Sequence, residues 1–199
     1  MDTDFVYLAS GSPRRRELLH QIGVPFRPIG VRVDEAVMRG EQPPDYVVRL
    51  AIAKAEAGWR AAIGAGGAVA PVLGADTAVV LDGRVIGKPA DRDDAARMLG
   101  ELSGKTHAVL TAVALCGTTG TAWRMSRSEV TFRDIDPVEC RCYADSGEPL
   151  DKAGGYAIQG FGAVFVALLK GSYSGVMGLP IFETADLLGG AGVPRWCPR

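Results

Sequence analysis

Three successive arginines, Arg14, Arg15 and Arg16, follow Ser10-Gly11-Ser12-Pro13. The apolar run from Phe5 to Ala9 before them reads as a strand, and Leu18, Leu19 and Ile22 after them fall at helical spacing. Ser12 suits the N-cap and Pro13 the first helical position. The stretch is therefore expected to run strand, tight turn, helix. A helix start directs free N–H groups and the positive end of the helix dipole at whatever occupies the turn. Cations in that first turn oppose the dipole, at roughly 0.3–1 kcal/mol each when exposed, so a purely structural helix would carry Asp or Glu there. Two hydroxyls, free amides and guanidinium forks together make an anion trap suited to polyphosphate. The competing reading is a solvated arginine cluster on a surface helix.

Other residues carry chemistry at a distance. Asp34-Glu35 closes a second expected strand, 26–33. A long helix over about 45–63 places Val47, Leu50, Ala51 and Ala61 or Ala62 on one face, and Lys54 falls on that same stripe. Such a lysine either snorkels to the rim or points into a cleft, and snorkelling is the commoner case. Asp76 interrupts the apolar run 71–81, where aspartate is disfavoured and costly to bury unpaired. It is either a strand-end aspartate bonded to backbone or a carboxylate presented to the floor of a site. Lys88 stands in a Gly-Lys-Pro turn, and Gln159 precedes Gly160.

The elements that must position these residues alternate early between strand and helix. Asp82-Gly83 between apolar runs predicts a hairpin. A helix follows at about 92–102, with Asp91 and Asp94 as capping residues. Two long strands, 106–116 and 121–132, form a larger hairpin, and Asp136-Pro137-Val138-Glu139 opens a short helix. Gly162 to Leu169 reads as a buried strand, 172–175 as a turn, and Leu179-Pro180 as the start of a last helix with Ile181, Ala185 and Leu188 inward. The expectation is one α/β domain over 1–188 with a mixed twisted sheet and flanking helices, then a loose tail over 189–199.

The chain has 199 residues, 47% hydrophobic and 23% charged, with net charge −1. That balance gives no global basic field for nucleic acid, so any anion site must be local. No apolar run reaches membrane-spanning length and no signal peptide opens the chain, so a cytoplasmic protein is expected. Cys116, Cys140, Cys142 and Cys197 lack metal spacing, and only His20 and His107 are available beside them. Zinc is not expected, and reduced thiols are.

The motifs taken in order resemble the Maf family of nucleoside triphosphate pyrophosphatases, first named as septum-formation inhibitors. The resemblance rests on Leu8-Ala9-Ser10-Gly11-Ser12-Pro13-Arg14-Arg15, Asp34-Glu35, Tyr46 to Ala51 with Lys54-Ala55, Gly74-Ala75-Asp76-Thr77, Gly87-Lys88-Pro89 and Leu102 to His107. Later come Glu148 to Gly154, Ile158-Gln159-Gly160 and Gly178-Leu179-Pro180. It covers about 5–188. It implies hydrolysis of a triphosphate to monophosphate and pyrophosphate with a divalent metal, Mg²⁺ or Mn²⁺. It further implies an ITPase-like fold of two lobes around a central cleft, and a homodimer. Asp76 matches the family's proton acceptor, and Ser10, Arg15, Glu35, Lys54 and Lys88 match its polar cleft residues. Arg14, Thr77 and Gln159 match the positions that separate its subgroups, and here resemble the dTTP/UTP-preferring one.

Water attacking an α-phosphate needs charge neutralisation, a base and an oriented leaving group. Arg15, Lys54 and Lys88 can supply the first, with Ser10 and Ser12 as further substrate contacts. Glu35 and Asp76 are the candidate metal ligands, and either can take the proton while the other holds the metal. The alternative is a nucleotide-sensing regulator of cell division, which would need the cations but not the acid pair.

Overall fold

The computed structural model of the chain describes residues 4–196. The first apolar run forms β1 (Val6–Leu8), fully buried, and Ser12 and Pro13 open α1 (Pro13–Gln21). β2 (Phe26–Pro28) lies parallel to β1, with Val6 opposite Phe26. The strand expected over 26–33 stops at Pro28, because proline brings no N–H to a ladder. Ile29 N still donates to Leu8 O at 3.0 Å, and the chain then runs irregularly to Gln42.

α2 (Pro43–Gly64) begins on two prolines with Asp45 in its first turn, a favourable helix start. Val47, Leu50, Ala51, Ala55, Gly58 and Ala62 form its buried face. β3 (Val72–Leu81) lies parallel to β1, with Tyr7 opposite Val72. Asp82 (φ 50) and Gly83 (φ 76) turn it into antiparallel β4 (Arg84–Ile86), since a tight hairpin needs two successive positive φ values. α3 (Arg92–Leu102) is capped by Asp91 Oδ1, which accepts from Asp94 N at 2.8 Å. β5 (Thr106–Gly117) and β6 (Gly120–Phe132) are the long hairpin, and α4 (Pro137–Asp145) carries a full capping box of Asp136 and Glu139.

Four expectations change beyond this point. The segment 162–169 is not a buried strand: Phe161–Phe165 is a 3₁₀ turn, and β7 (Val166–Lys170) is an edge strand antiparallel to β6, with Ala167 and Leu168 exposed. An apolar run reads alike in a central or an edge strand, because composition does not show which side lacks a neighbour. Residues 172–175 are not a simple turn but lead into α5 (Tyr173–Met177), with Ser172 Oγ accepting from Gly175 N at 2.9 Å. α6 (Ile181–Gly190) buries Thr184, Leu187 and Leu188, while Ile181 and Ala185 are only half-buried. Residues 191–196, read as part of a loose tail, bury Val193, and Arg195 Nη1 donates to Ala185 O at 3.1 Å. Cys116, Cys140 and Cys142 are free thiols; Cys197 lies outside the described residues, as do 198 and 199 of the expected tail.

The strands form one mixed sheet in the order β2-β1-β3-β5-β6-β7, with β4 on β3, and helices flank it. The chain divides into two compact units, one of residues up to Asp76, 111–126 and from Gly178, the other of 77–110 and 127–177. In the first, Val6, Leu8, Leu19, Leu50 and Leu73 are fully buried. The second has an aromatic core in which Phe132 meets Tyr156, His107 and Phe165, with Leu99 and Leu102 of α3 in the same cluster. Among the described residues no helix is long and apolar enough to cross a membrane.

Candidate active site

Gly74 and Asp76 stand two apart on β3 and so share one face. A Cβ on Gly74 would come within 2.5 Å of Ala55 N and overlap Ala51 O, so only glycine lets α2 lie this close to the strand. One turn further along α2, a Cβ on Gly58 would stand 2.7 Å from Val72 Cγ1. Lys54 belongs to the same stripe as Ala51 and Ala55, and the close approach brings its ammonium to Asp76. Lys54 Nζ lies 2.6 Å from Asp76 Oδ1 and 2.6 Å from Glu35 Oε1. Its side chain is 13% exposed, Asp76's 11% and Glu35's 50%. The lysine therefore does not snorkel; it bridges two carboxylates. Burial raises the Asp76 pKa above the usual aspartate value; the charges of Lys54 and Arg15 oppose that shift and Glu35 adds to it.

Arg15 is fixed by protein oxygens. Its Nε donates to Gly178 O at 2.8 Å, and its Nη1 donates to Ala75 O at 2.9 Å and to Ser10 Oγ at 3.1 Å. Burial lowers its pKa and Asp76 opposes the change. Ser12 occupies the N-cap position, but its hydroxyl bonds none of the first-turn amides; its own N–H donates to Ser10 Oγ at 3.2 Å. Arg14 is half-buried one residue before Arg15.

The first unit thus gathers Ser10, Ser12, Arg14, Arg15, Glu35, Lys54 and Asp76, whereas Thr77, Lys88 and Gln159 belong to the second. Lys88 is exposed between Gly87, whose carbonyl accepts from Gly154 N at 2.8 Å, and buried Pro89. Gln159 is exposed after buried Ile158. Its turn is pinned by Glu148, which accepts from Phe161 N at 3.0 Å, Gly162 N at 3.1 Å and Tyr143 Oη at 2.8 Å. Burial works to raise the Glu148 pKa, and these donors outweigh it to leave the value lowered. The sequence offered Glu148 only as the first residue of the Glu148 to Gly154 motif, with no role assigned; the glycines at 160 and 162, where a backbone can approach closely, were the available signal.

Tyr46, Arg49 and Glu41 were likewise missed as supports. Tyr46 Oη donates to Glu35 O at 3.1 Å, and Arg49 bonds both oxygens of Glu41 and the carbonyl of Ala36. Tyr46 and Arg49 are three apart on α2 and so face one way, which was the legible part of that signal.

Fold and site together define an α/β protein with a cation-rich helix start beside an acid–ammonium cluster built on a buried aspartate. Residues 5–191 match the family model of the Maf-like proteins, and the chain belongs to that family. It is 52% identical over 198 residues to the dTTP/UTP pyrophosphatase of Aromatoleum aromaticum, across 95% of this chain and 96% of that protein. It is 53% identical over 184 residues to the dTTP/UTP pyrophosphatase of Alkalilimnicola ehrlichii, across 92% and 91%. Among solved structures, the Staphylococcus aureus Ham1 protein aligns with TM-score 0.42 at 15% identity, across 65% of this chain and 72% of that one.

Proposed function

We propose that this protein hydrolyses nucleoside triphosphates, dTTP and UTP foremost, to the monophosphate and pyrophosphate. The observation that carries this reading is Lys54 held between Asp76 and Glu35, with Arg15 fixed against Ala75 beside them. The names of the relatives above support the choice of nucleotides.

In this reading the first-turn amides of α1, Ser10, Ser12 and Arg15 receive the polyphosphate. Arg15 is preorganised by its carbonyl partners, so its charge needs no rearrangement during reaction. Lys54 and Lys88 neutralise phosphate charge. Asp76 accepts the proton of the attacking water, since burial moves its basicity toward the working pH. The same carboxylates fit a divalent ion: two hard oxygen donors already converge on one cation, and Mg²⁺ or Mn²⁺ asks for few protein ligands when phosphates and water complete its shell. Such an ion, held by Glu35 and Asp76, would stabilise charge on the phosphates. Gln159 offers a donor and an acceptor to the O4 and N3–H edge of uracil or thymine, and Arg14 and Thr77 complete the specificity set.

The test is a panel of nucleoside triphosphates with Mg²⁺ or Mn²⁺, scored for pyrophosphate against orthophosphate. Pyrophosphate with dTTP and UTP ahead of ATP and GTP in kcat/KM is expected, and Gln159→Glu should remove that ranking. Orthophosphate as the main product would overturn the reading.

A further inference from the structure

Glu35 reaches Lys54 from an unfavourable place. It stands in the irregular segment between β2 and α2, and residues 34–40 of that segment are all exposed. Exposed backbone without apolar anchors costs conformational entropy to order, about 1–2 kcal/mol per residue. Something must hold it for the 2.6 Å contact with Lys54 to persist.

The first two turns of α2 do so. Arg49 Nε donates to Glu41 Oε1 at 2.5 Å, and Nη2 donates to Glu41 Oε2 at 2.8 Å and to Ala36 O at 3.0 Å. Glu41 Oε2 also accepts from Met38 N at 3.0 Å, and Asp34 Oδ1 accepts from Ala36 N at 2.9 Å. Tyr46 Oη donates to the carbonyl of Glu35 itself, and the Arg49 guanidinium lies 5.6 Å from the Tyr46 ring centroid. The Glu41 side chain is only 8% exposed, and its hydrogen bond from Arg49 holds its carboxyl down at about 2. Lys54 lies on the same helix, five residues after Arg49. One rigid element therefore supplies the ammonium and grips the loop that brings the carboxylate to it.

We infer that Arg49, with Glu41 and Tyr46, is a positioning residue for the reaction: it locks the 34–41 loop onto α2 so that Glu35 meets Lys54, which also holds Asp76. This rests on the reading of Glu35 as a working carboxylate given above. A lysine at 49 could not replace the arginine, because a point charge cannot hold two carboxylate oxygens and a carbonyl in one plane.

The experiment compares wild type with Arg49→Ala, Arg49→Lys, Glu41→Gln, Glu35→Gln and the double variant Arg49→Ala/Glu35→Gln, using dTTP and thermal melting. Arg49→Ala and Arg49→Lys should each lose about 10–100-fold in kcat/KM, chiefly in kcat, with a fall in melting temperature that leaves the protein folded at the assay temperature. In the Glu35→Gln background, Arg49→Ala should change activity by less than about twofold, because what it positions is already gone. Amide exchange at Ala36 and Met38 should quicken in Arg49→Ala. Full activity in Arg49→Lys, a multiplicative loss in the double variant, or unchanged exchange at both amides would each overturn the inference. Should Arg49→Ala fail to fold, Glu41→Gln poses the same question with Arg49 in place. If wild type releases no pyrophosphate from any triphosphate, the functional reading fails, and the exchange data still decide whether Arg49 holds the loop.

Discussion

Asp76 on β3 and His107 on β5 are both titratable side chains on strands of one sheet, 7% and 2% exposed. Burial disfavours the charged form of each: it raises the Asp76 carboxyl and pushes the His107 imidazole down to about 4. Their surroundings then differ. His107 meets the rings of Phe132 and Tyr156 edge-on at 4.9 and 5.4 Å, and its Nε2 lies 2.8 Å from Tyr156 Oη. Its Nδ1 is buried and has no hydrogen-bond partner among the described residues. No nearby charge resists neutralisation, so it serves as a core ring with one polar contact. Asp76 instead faces Lys54 and Arg15, which hold it toward the ionised form against burial. Keeping a charge in such a place is costly, and a strand that needed only filling would do better with an apolar residue. The contrast separates a polar residue retained for chemistry from one absorbed by packing.

The sharpest way to break this contrast is Asp76→Asn. It keeps the shape and removes the charge, so turnover of dTTP should fall by about 10²–10⁴-fold, equivalent to about 3–5 kcal/mol. Stability should change little, since burial opposed the charge that is lost. Near-wild-type kcat would place Asp76 with His107, as structure. Lys54→Met should do the reverse to stability. It leaves a buried carboxylate short of a cation, which costs about 4 kcal/mol in urea unfolding at pH 7. Adding Asp76→Asn to it should recover most of that loss, although neither variant would be active. A double variant no more stable than Lys54→Met would show that the pair is not what the strand and helix balance.

On the histidine side the lever is pH. The unfolded imidazole titrates near 6.5 and the folded one at about 4. As pH falls, the unfolded chain takes up the proton first. The stability tied to His107 is therefore complete above about 6.5 and is lost progressively down to about 4, by about 3 kcal/mol. His107→Leu should flatten the dependence of the urea midpoint over that window relative to wild type. An unchanged slope would mean that the folded imidazole titrates as freely as the unfolded one.

Where local chemistry decides, the sequence was legible. The Asp82-Gly83 hairpin, the Asp91 cap and the Asp136–Glu139 capping box form because those residues satisfy their own neighbours. Arg15, Lys54 and Asp76 were legible as anomalies, a cation or an acid where burial or a helix dipole disfavours one. What escaped depends on partners far along the chain. Arg15 rests on a carbonyl 163 positions away. Glu35 depends on Arg49 gripping Glu41 eight positions earlier, and Lys54 reaches Asp76 only because Gly74 admits the backbone of α2. β7 read as buried because no local pattern reveals that a strand ends a sheet.

The smallest expected effect tests the packing half of the contrast. Tyr156→Phe removes one hydroxyl and leaves His107 Nε2 without a partner in a core where Nδ1 already lacks one. A buried group stripped of its hydrogen bond costs about 1–3 kcal/mol, and the neutral imidazole belongs at the lower end, about 1 kcal/mol. For a chain of this size that is a fall of about 2–4 °C in Tm. Removing both polar partners should cost less than removing one of them alone would suggest, because no orphan then remains. In the His107→Leu background, Tyr156→Phe should therefore be close to neutral, and the difference between the two backgrounds is the worth of the bond. Turnover of dTTP should stay within about twofold of wild type throughout, as no charge is changed and no residue of the acid–ammonium cluster is touched. If the Tyr156→Phe loss were the same in both backgrounds, the hydroxyl would be stabilising something other than the histidine. The buried pair would then be two independent rings.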